Sequence, residues 1–285
     1  GGFTENGALT TATSAPGSTG GISSGLVGHW RLDETSGTTA VDSSGIGNDG
    51  TMGGTLSGTD TTKGMLGSAL NFNGSSDFID TADIDFATGG FSMSAWAKTS
   101  NTSTQRVLSK YSGNFNNIWF IHDSAGLSCG LYDGSTYPEV NVTGIGLDDN
   151  EWHFLTCVID SSNVSIFVDG VAVGTPSAHD NAFPTDNAPW RIGARNDGAE
   201  WFDGDLDDVR LYNRVLTAEE IQEIYEARDG IRYNSSSRTM EFFDGNEYVQ
   251  MYAHTDITEG LVGHWKLDET TGTTAADSSG NGNDG

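Results

Sequence analysis

The chain has 285 residues, 39 of them glycine and 5 proline, and its 40 acidic side chains against 13 lysines and arginines give a formal charge of −27. A field of that sign repels phosphate backbones and anionic lipid headgroups, which argues against nucleic acid as a partner and makes calcium the first ion to consider. No apolar run reaches the ~18 residues of a spanning helix, so membrane insertion is not expected, and short β-favouring runs between Gly-, Ser-, Thr-, Asn- and Asp-rich intervals point to an all-β fold.

Residues 1–21 have no apolar period and read as a Gly/Ser/Thr-rich linker or arm, the internal beginning of a longer protein. The domain opens at Ile22 with GLVGHW, a short strand in which Leu26, Gly28 and Trp30 alternate with Val27 and His29. A polar turn leads to the loop Asp42 to Gly50, which sets glycines free to take positive φ among oxygen-bearing side chains. ALNFNGSSDFIDT reads as a hairpin, and FSMSAWAKT as a strand with Phe91, Met93 and Ala95 on one face.

RVLSKY, NIWFIHD, LSCGLYDG and EWHFLTCVID follow as strands, and VSIFVDGVAVG turns at Asp169-Gly170, a strong short-range hairpin signal. PWRIGAR and WFDGDLDDVRLYNRVL supply the last strands. Residues 217–227 form the one good helix, with Thr217 and Glu220 as a capping box and Ile221, Ile224 and Tyr225 as its apolar stripe. Residues 228–259 read as a short β-hairpin connector, two strands around a Ser-rich turn with a further turn at Asp244-Gly245.

Residues 260–285 repeat residues 25–50 at an offset of 235, differing only at Arg31/Lys266, Ser36/Thr271, Val41/Ala276 and Ile46/Asn281. That spacing is the size of a domain and too long for a solenoid unit. The chain therefore holds one complete domain over 22–227 and the first strand and loop of an incomplete second one, and it reads as an excerpt of a repetitive protein.

Seven segments, in this order, carry a family resemblance: GHWRLDETSGTTAVDSSGIGNDG, GSALNFNGSSDFID, FSMSAWAK, EWHFLTCVID, VSIFVDG, WRIGA and GDLDDVRLYNRVLTAEEIQEIYE. Together they resemble the laminin-G-like (LamG-like) jelly-roll domain of the concanavalin A-like lectin/glucanase superfamily, in its bacterial version. The resemblance covers 22–227. It implies a two-sheet antiparallel jelly-roll sandwich with one short C-terminal helix, commonly calcium-bound and extracellular or at the cell surface, appended to enzymes, adhesins or other surface proteins.

Read by strict alternation, Asp205 and Asp207 share a face with Val209 and Leu211. A carboxylate leaning on a core needs a partner, because burying it alone costs on the order of several kcal/mol. Calcium takes six to eight oxygens at about 2.3–2.6 Å, and the resemblance brings the Asp42 loop near the last strand. The expected ligands are Asp42, Asn48 and Asp207, with main-chain oxygens of Gly45 and Gly47. The alternative is an Asx-turn loop that needs no ion.

Trp119, Tyr132, Tyr137 and Trp201 are candidates for a sugar platform, against the reading that such aromatics fill the core. Cys129 and Cys157, each flanked by core-side apolar residues on strands expected to be neighbours, would form a cross-strand disulfide or stay as buried thiols. No HExxH helix, GxSxG elbow or phosphate-cradling loop is present, and the ExDxxE string of related glucanases is missing; Glu241, Asp244 and Glu247 have the wrong spacing. His153 follows Trp152, and the resemblance implies a structural role for it.

These observations favour a non-catalytic module acting in adhesion, with glycans or surface proteins as partners. The alternative is a building block of an extracellular filament or tandem-domain stalk, whose partners are neighbouring copies of the same domain. Residues 260–285 then either open their own domain or complete another copy by strand exchange.

Overall fold

The structure is a computed structural model that describes residues 21–86, 89–111, 117–123, 126–132, 136–180, 183, 188–227, 231–234, 239–243 and 248–250, with single positions at 274, 281 and 284. Residues 21–227 form an antiparallel sandwich of two eight-stranded sheets.

In the first sheet, β7 (Phe91–Lys98) lies between β12 (His153–Ile159) and β16 (Asp203–Tyr212). Outward from β12 follow β13 (Asn163–Val168) and β14 (Val171–Ala178). Beyond β16 follow β5 (Ser68–Asn73) and β4 (Thr61–Lys63), while β1 (Leu26–Trp30) pairs with the other half of β16.

The second sheet runs β11 (Glu139–Thr143), β10 (Gly126–Leu131), β9 (Asn117–Asp123), β8 (Gln105–Tyr111), β15 (Trp190–Ile192), β6 (Phe78–Asp80), β3 (Gly50–Gly53) and β2 (Thr39–Ala40).

The core lies between the sheets. Alternation turns Phe91, Met93, Ala95 and Ala97 of β7 inward with Leu155, Cys157 and Ile159 of β12, against Phe120, Leu127, Trp190 and Ile192 of the second sheet. The opposite face is apolar too: Trp96 of β7, Phe154 and Val158 of β12 and Tyr212 of β16 are covered by α1 (Ala218–Glu226) through Ile221 and Ile224. Trp96 and Tyr225 stack at 5.6 Å between centroids. Thr217 caps α1: its side chain accepts from the N–H of Glu220, whose carboxylate accepts from the N–H of Thr217. Asp169 (φ 51°) and Gly170 (φ 81°) supply the positive-φ pair of the β13–β14 hairpin.

Three local expectations change. Residues 68–80 are not a hairpin, because β5 pairs in the first sheet and β6 in the second. The NGSSD turn carries the chain across the sandwich, tied down by buried Asp77, which accepts from the N–H groups of Asn73 and Thr55. Nor does β16 alternate strictly. A bulge between Asp207 and Arg210, with Asp208 at φ 50°, turns Leu206, Val209 and Leu211 to the core and puts Asp207 on the opposite face. Finally, Cys129 and Cys157 are bonded to each other from β10 and β12, which lie in facing sheets and are not neighbours; their Cα atoms are 6.2 Å apart.

Residues 231–250 contribute a separate three-stranded sheet, β17 (Ile231–Asn234), β18 (Thr239–Phe243) and β19 (Tyr248–Gln250). Its first pair is antiparallel, with Ile231 opposite Phe242. The turn at Asp244-Gly245 and most of residues 260–285 lie outside the described residues.

Candidate ligand-binding face and acidic sites

The loop after β2 is organised by one carboxylate. Asp42 Oδ1 accepts from the N–H groups of His29 and Ser44 (both 2.9 Å), and Oδ2 from Ser44 Oγ (2.7 Å), Gly47 N–H (3.1 Å) and Asn48 N–H (2.8 Å). Burial pushes this carboxyl up, but the donors from Ser44, Asn48 and His29 outweigh it and hold it below the ordinary carboxylate range. Asn48 is also committed: its side-chain amide donates to Val27 O at 2.7 Å and its main-chain carbonyl accepts from Trp30 Nε1 at 3.0 Å. The loop thus aims N–H groups at both oxygens of Asp42, which hold its carboxylate as an Asx-turn does.

Asp207 sits elsewhere. Its Oδ2 accepts from the N–H groups of Met65 (2.8 Å) and Leu66 (3.0 Å), while Oδ1 is buried without a hydrogen-bond partner among the described residues. Burial, with Asp208 and Asp33 nearby, pushes this carboxyl up to about 8. Asp33 flanks the same turn and accepts from Ser68 N–H at 2.7 Å. An orphaned buried carboxylate oxygen fits a cation, although among the described residues no three His, Cys, Asp or Glu side chains are grouped to hold one. The next residue has its own partners: buried Asp208 meets His29 Nε2 at 2.5 Å and Arg210 Nη2 at 2.9 Å. Burial and Arg210 lower the His29 pKa, so the imidazole is neutral and donates to Asp208.

The outer face of the second sheet carries the other candidates. Cross-strand register aligns Thr51, Asp80, Arg191, Ser109, Trp119 and Gly130 in one row. Trp119 therefore sits on the face opposite the core-filling Phe120; its side chain lies outside the described residues. Two residues that sequence reasoning missed dominate this face. Arg191 donates Nε and Nη2 to the two oxygens of Asp80 (2.6 and 2.8 Å), and its guanidinium lies 3.9 Å from the centroid of the Phe78 ring.

Gly53 faces Phe78 across the strands, and a Cβ there would stand 2.2 Å from the ring. Trp201 leans on Phe78 at 6.1 Å and is half-buried. Residues 193–202 fold over the neighbouring strands: Glu200 pairs with Arg106 and Arg195, and Ser109 donates to Ala194 O. Alternation was the available signal for Arg191, since Trp190 and Ile192 on either side are both core residues.

Tyr132 and Tyr137 meet each other at 4.6 Å between centroids beside the β10–β11 connection, with Tyr137 52% exposed. The four predicted aromatics thus divide between a sheet face and a hairpin tip.

The Laminin G 3 family profile, described as the concanavalin A-like lectin/glucanases superfamily, matches residues 73–222, more than half of the chain. The chain belongs to this LamG-like family. A LamG-like relative, the adhesion G-protein coupled receptor V1 of Danio rerio, is 25% identical over 144 residues, which is 47% of this chain and 2% of the receptor. Usherin of Mus musculus is 34% identical over 80 residues, 26% of this chain and 2% of usherin. The chain thus spans a small fraction of these curated relatives.

Among solved structures, domain 4 of AbnA, an extracellular GH43 arabinanase from Geobacillus stearothermophilus in complex with arabinotriose, superposes with a TM-score of 0.57 at 20% identity, covering 70% of this chain and 98% of that one. The binding domain of Paraclostridial Mosquitocidal Protein 1 gives 0.59 at 12% identity, covering 82% and 69%. The binding domain of botulinum neurotoxin DC, in complex with rat synaptotagmin II, gives 0.56 at 12%, covering 79% and 64%. At these identities the likeness is one of fold: a mostly β, jelly-roll sandwich. No helix among the described residues is long and apolar enough to cross a membrane.

Proposed function

We propose that this LamG-like domain is a non-catalytic binding module of a secreted or cell-surface protein, acting in adhesion by recognising a glycan or a protein. The observation that carries the reading is the Phe78–Arg191–Trp201 platform. Arg191 is committed to Asp80 and covers the Phe78 ring, so what this face offers a ligand is the half-buried Trp201 ring leaning on that cluster. Arabinotriose on domain 4 of AbnA and synaptotagmin II on the neurotoxin domain are ligands of the two classes expected here.

The test is a glycan array and a panel of surface proteins, probed with the wild-type chain and with Arg191→Ala and Trp201→Ala. The expected result is binding that each variant weakens about tenfold or more, with the melting temperature held within a few degrees. Binding that is indifferent to both variants rejects this face.

A structural calcium belongs to the same proposal, with Asp42, Asn48, Asp207 and the Gly45 and Gly47 main-chain oxygens as its ligands; Asp207 Oδ1, buried without a hydrogen-bond partner among the described residues, supports a role for that residue. Calcium should raise the melting temperature and a chelator should reverse the rise, since an ion bound only by the native state adds stability. No response to either removes the ion from the reading.

The second reading, a building block of a tandem stalk or filament, is favoured by the near-identity of residues 25–50 and 260–285. Electron microscopy showing only dispersed particles at high concentration counts against it.

A further inference from the structure

The seat that β1 occupies is defined residue by residue. β1 lies along β16 with Leu26 opposite Tyr212, His29 opposite Arg210 and Trp30 opposite Val209, and among the described strands β16 is its only ladder partner. Trp30, His29 and Leu32 are completely buried, and Ile22 packs with the helix α1. His29 reaches Asp208, Gly25 turns at φ 69° against Asn213, and Gly28 makes room for the Trp30 ring, which a Cβ would meet at 2.3 Å.

Every one of these residues recurs downstream: Ile257, Gly260, Leu261, Gly263, His264, Trp265 and Leu267, followed by Asp277 and Asn283 for the loop. The four differences within the repeat all fall where the seat does not read the side chain. Ser36 is exposed, Val41 is 53% and Ile46 62% exposed, and Arg31, half-exposed against Asp33, becomes a lysine of the same charge. Ahead of the repeat Ser23 and Ser24 are replaced by Thr258 and Glu259, at one exposed and one half-buried position; every fully buried residue of β1 is kept, so the segment matches the β1 seat in sequence where that seat is closed.

We propose that residues 260–285 of one copy of this chain take the β1 seat on β16 of a second copy, so that copies join head to tail by strand exchange. The exchange forms no new kind of contact: the same ladder, the same His–Asp208 hydrogen bond and the same buried tryptophan are made between chains instead of within one. Because the two segments compete for one seat, weakening β1 shifts occupancy toward 260–285. The inference does not depend on what the sheet face binds.

The test compares three full-length chains. Trp30→Ala removes the largest anchor of β1 and leaves its duplicate intact; Trp30→Ala/Trp265→Ala removes both; Trp265→Ala alone is the control. The expected result is that Trp30→Ala melts about 10 °C above the double variant and sediments as dimers and longer species whose mass grows with concentration, while the control stays monomeric.

A second measurement guards against Trp30→Ala failing to fold. With β1 intact, Trp265 is replaced by benzoylphenylalanine, and illumination is expected to cross-link it to the 203–212 peptide of a differently labelled copy. Equal melting of the single and double variants, or no cross-link to that peptide, overturns the proposal. Rescue of Trp30→Ala at strictly monomeric mass also overturns it, because the segment then fills the seat of its own chain.

Discussion

Asp42 accepts five hydrogen bonds, four of them from main-chain N–H groups that a turn of this shape would otherwise bury unsatisfied. Asp42→Asn puts an amide donor where Oδ1 or Oδ2 now accepts, and is expected to cost roughly 2–4 kcal/mol in denaturant unfolding; a cost near zero would mean the loop is held by something else. The carboxyl's lowered pKa sets the sign of its pH dependence. Its contribution is present above the unfolded value of about 3.9 and is lost as pH falls through the lower folded value.

His153 carries the opposite sign. The hydrogen bond from its Nδ1 to Asp169 at 2.9 Å outweighs desolvation and, with the charges of Asp169 and Asp149, raises its pKa. The stabilisation is complete below the unfolded value of about 6.5 and disappears as pH rises through the folded one. Melting temperatures of the wild type and His153→Gln, scanned from pH 5 to 9, should converge toward the alkaline end; parallel curves would show that His153 contributes nothing by titrating. The sequence reading of His153 as structural agrees with these partners, which hold the start of β12 to the β13–β14 turn.

Among the elements, the ones written in local signals appear where expected. The capping box of α1 needs only Thr217 and Glu220, three residues apart, and the Asp169-Gly170 turn needs only two adjacent residues that accept positive φ. Thr217→Ala should therefore lower stability by about 1 kcal/mol, read as a shift of the denaturant midpoint at constant slope; a changed slope would mean that α1 detaches as a unit.

What was illegible is non-local. The NGSSD turn has the composition of a hairpin, and nothing within it states that the two strands belong to different sheets. The bulge at Asp208 is written in LDDV, where either acidic residue can take the αL region. The αL residue Asp208 is held by Arg210 of its own strand and by His29, which β1 brings across from far along the chain. The hydrogen bonds that hold the Asp42 carboxylate were illegible for the same reason, because the direction of a loop's N–H groups is a property of its backbone path. Arg191 was within reach, flanked by two core residues, but a lone arginine on a strand gives no sign of the Phe78 ring it lies over.

At the scale of the molecule, family and architecture were readable because seven motifs recur in order, each of them a core strand or a turn the sandwich requires. The pairing of the cysteines was only half readable: alternation turned both inward, while the sheet each belongs to is set by the topology. Their bridge closes a loop of 28 residues and ties the two sheets together. Loop-closure entropy puts its contribution at about 3–4 kcal/mol, so reduction should lower the melting temperature by roughly 10 °C in a domain of this size. An unchanged transition after complete reduction would show that the sandwich alone fixes the two strands.

The entry and exit of the domain have a mechanical consequence. Leu26 lies opposite Tyr212, Asn213 N–H donates to Gly25 O, and Arg214 holds the carbonyls of Gly21 and Ser24. The chain therefore enters β1 and leaves β16 at the same end of the sandwich, along two antiparallel neighbours. Tension applied through the flanking segments acts across this ladder, not along it, and opens its hydrogen bonds one after another. Pulled between residues 21 and 213, the domain should yield by unzipping β1 at low force, lengthening like a reel paying out line while the disulfide-tied sheets behind it stay closed.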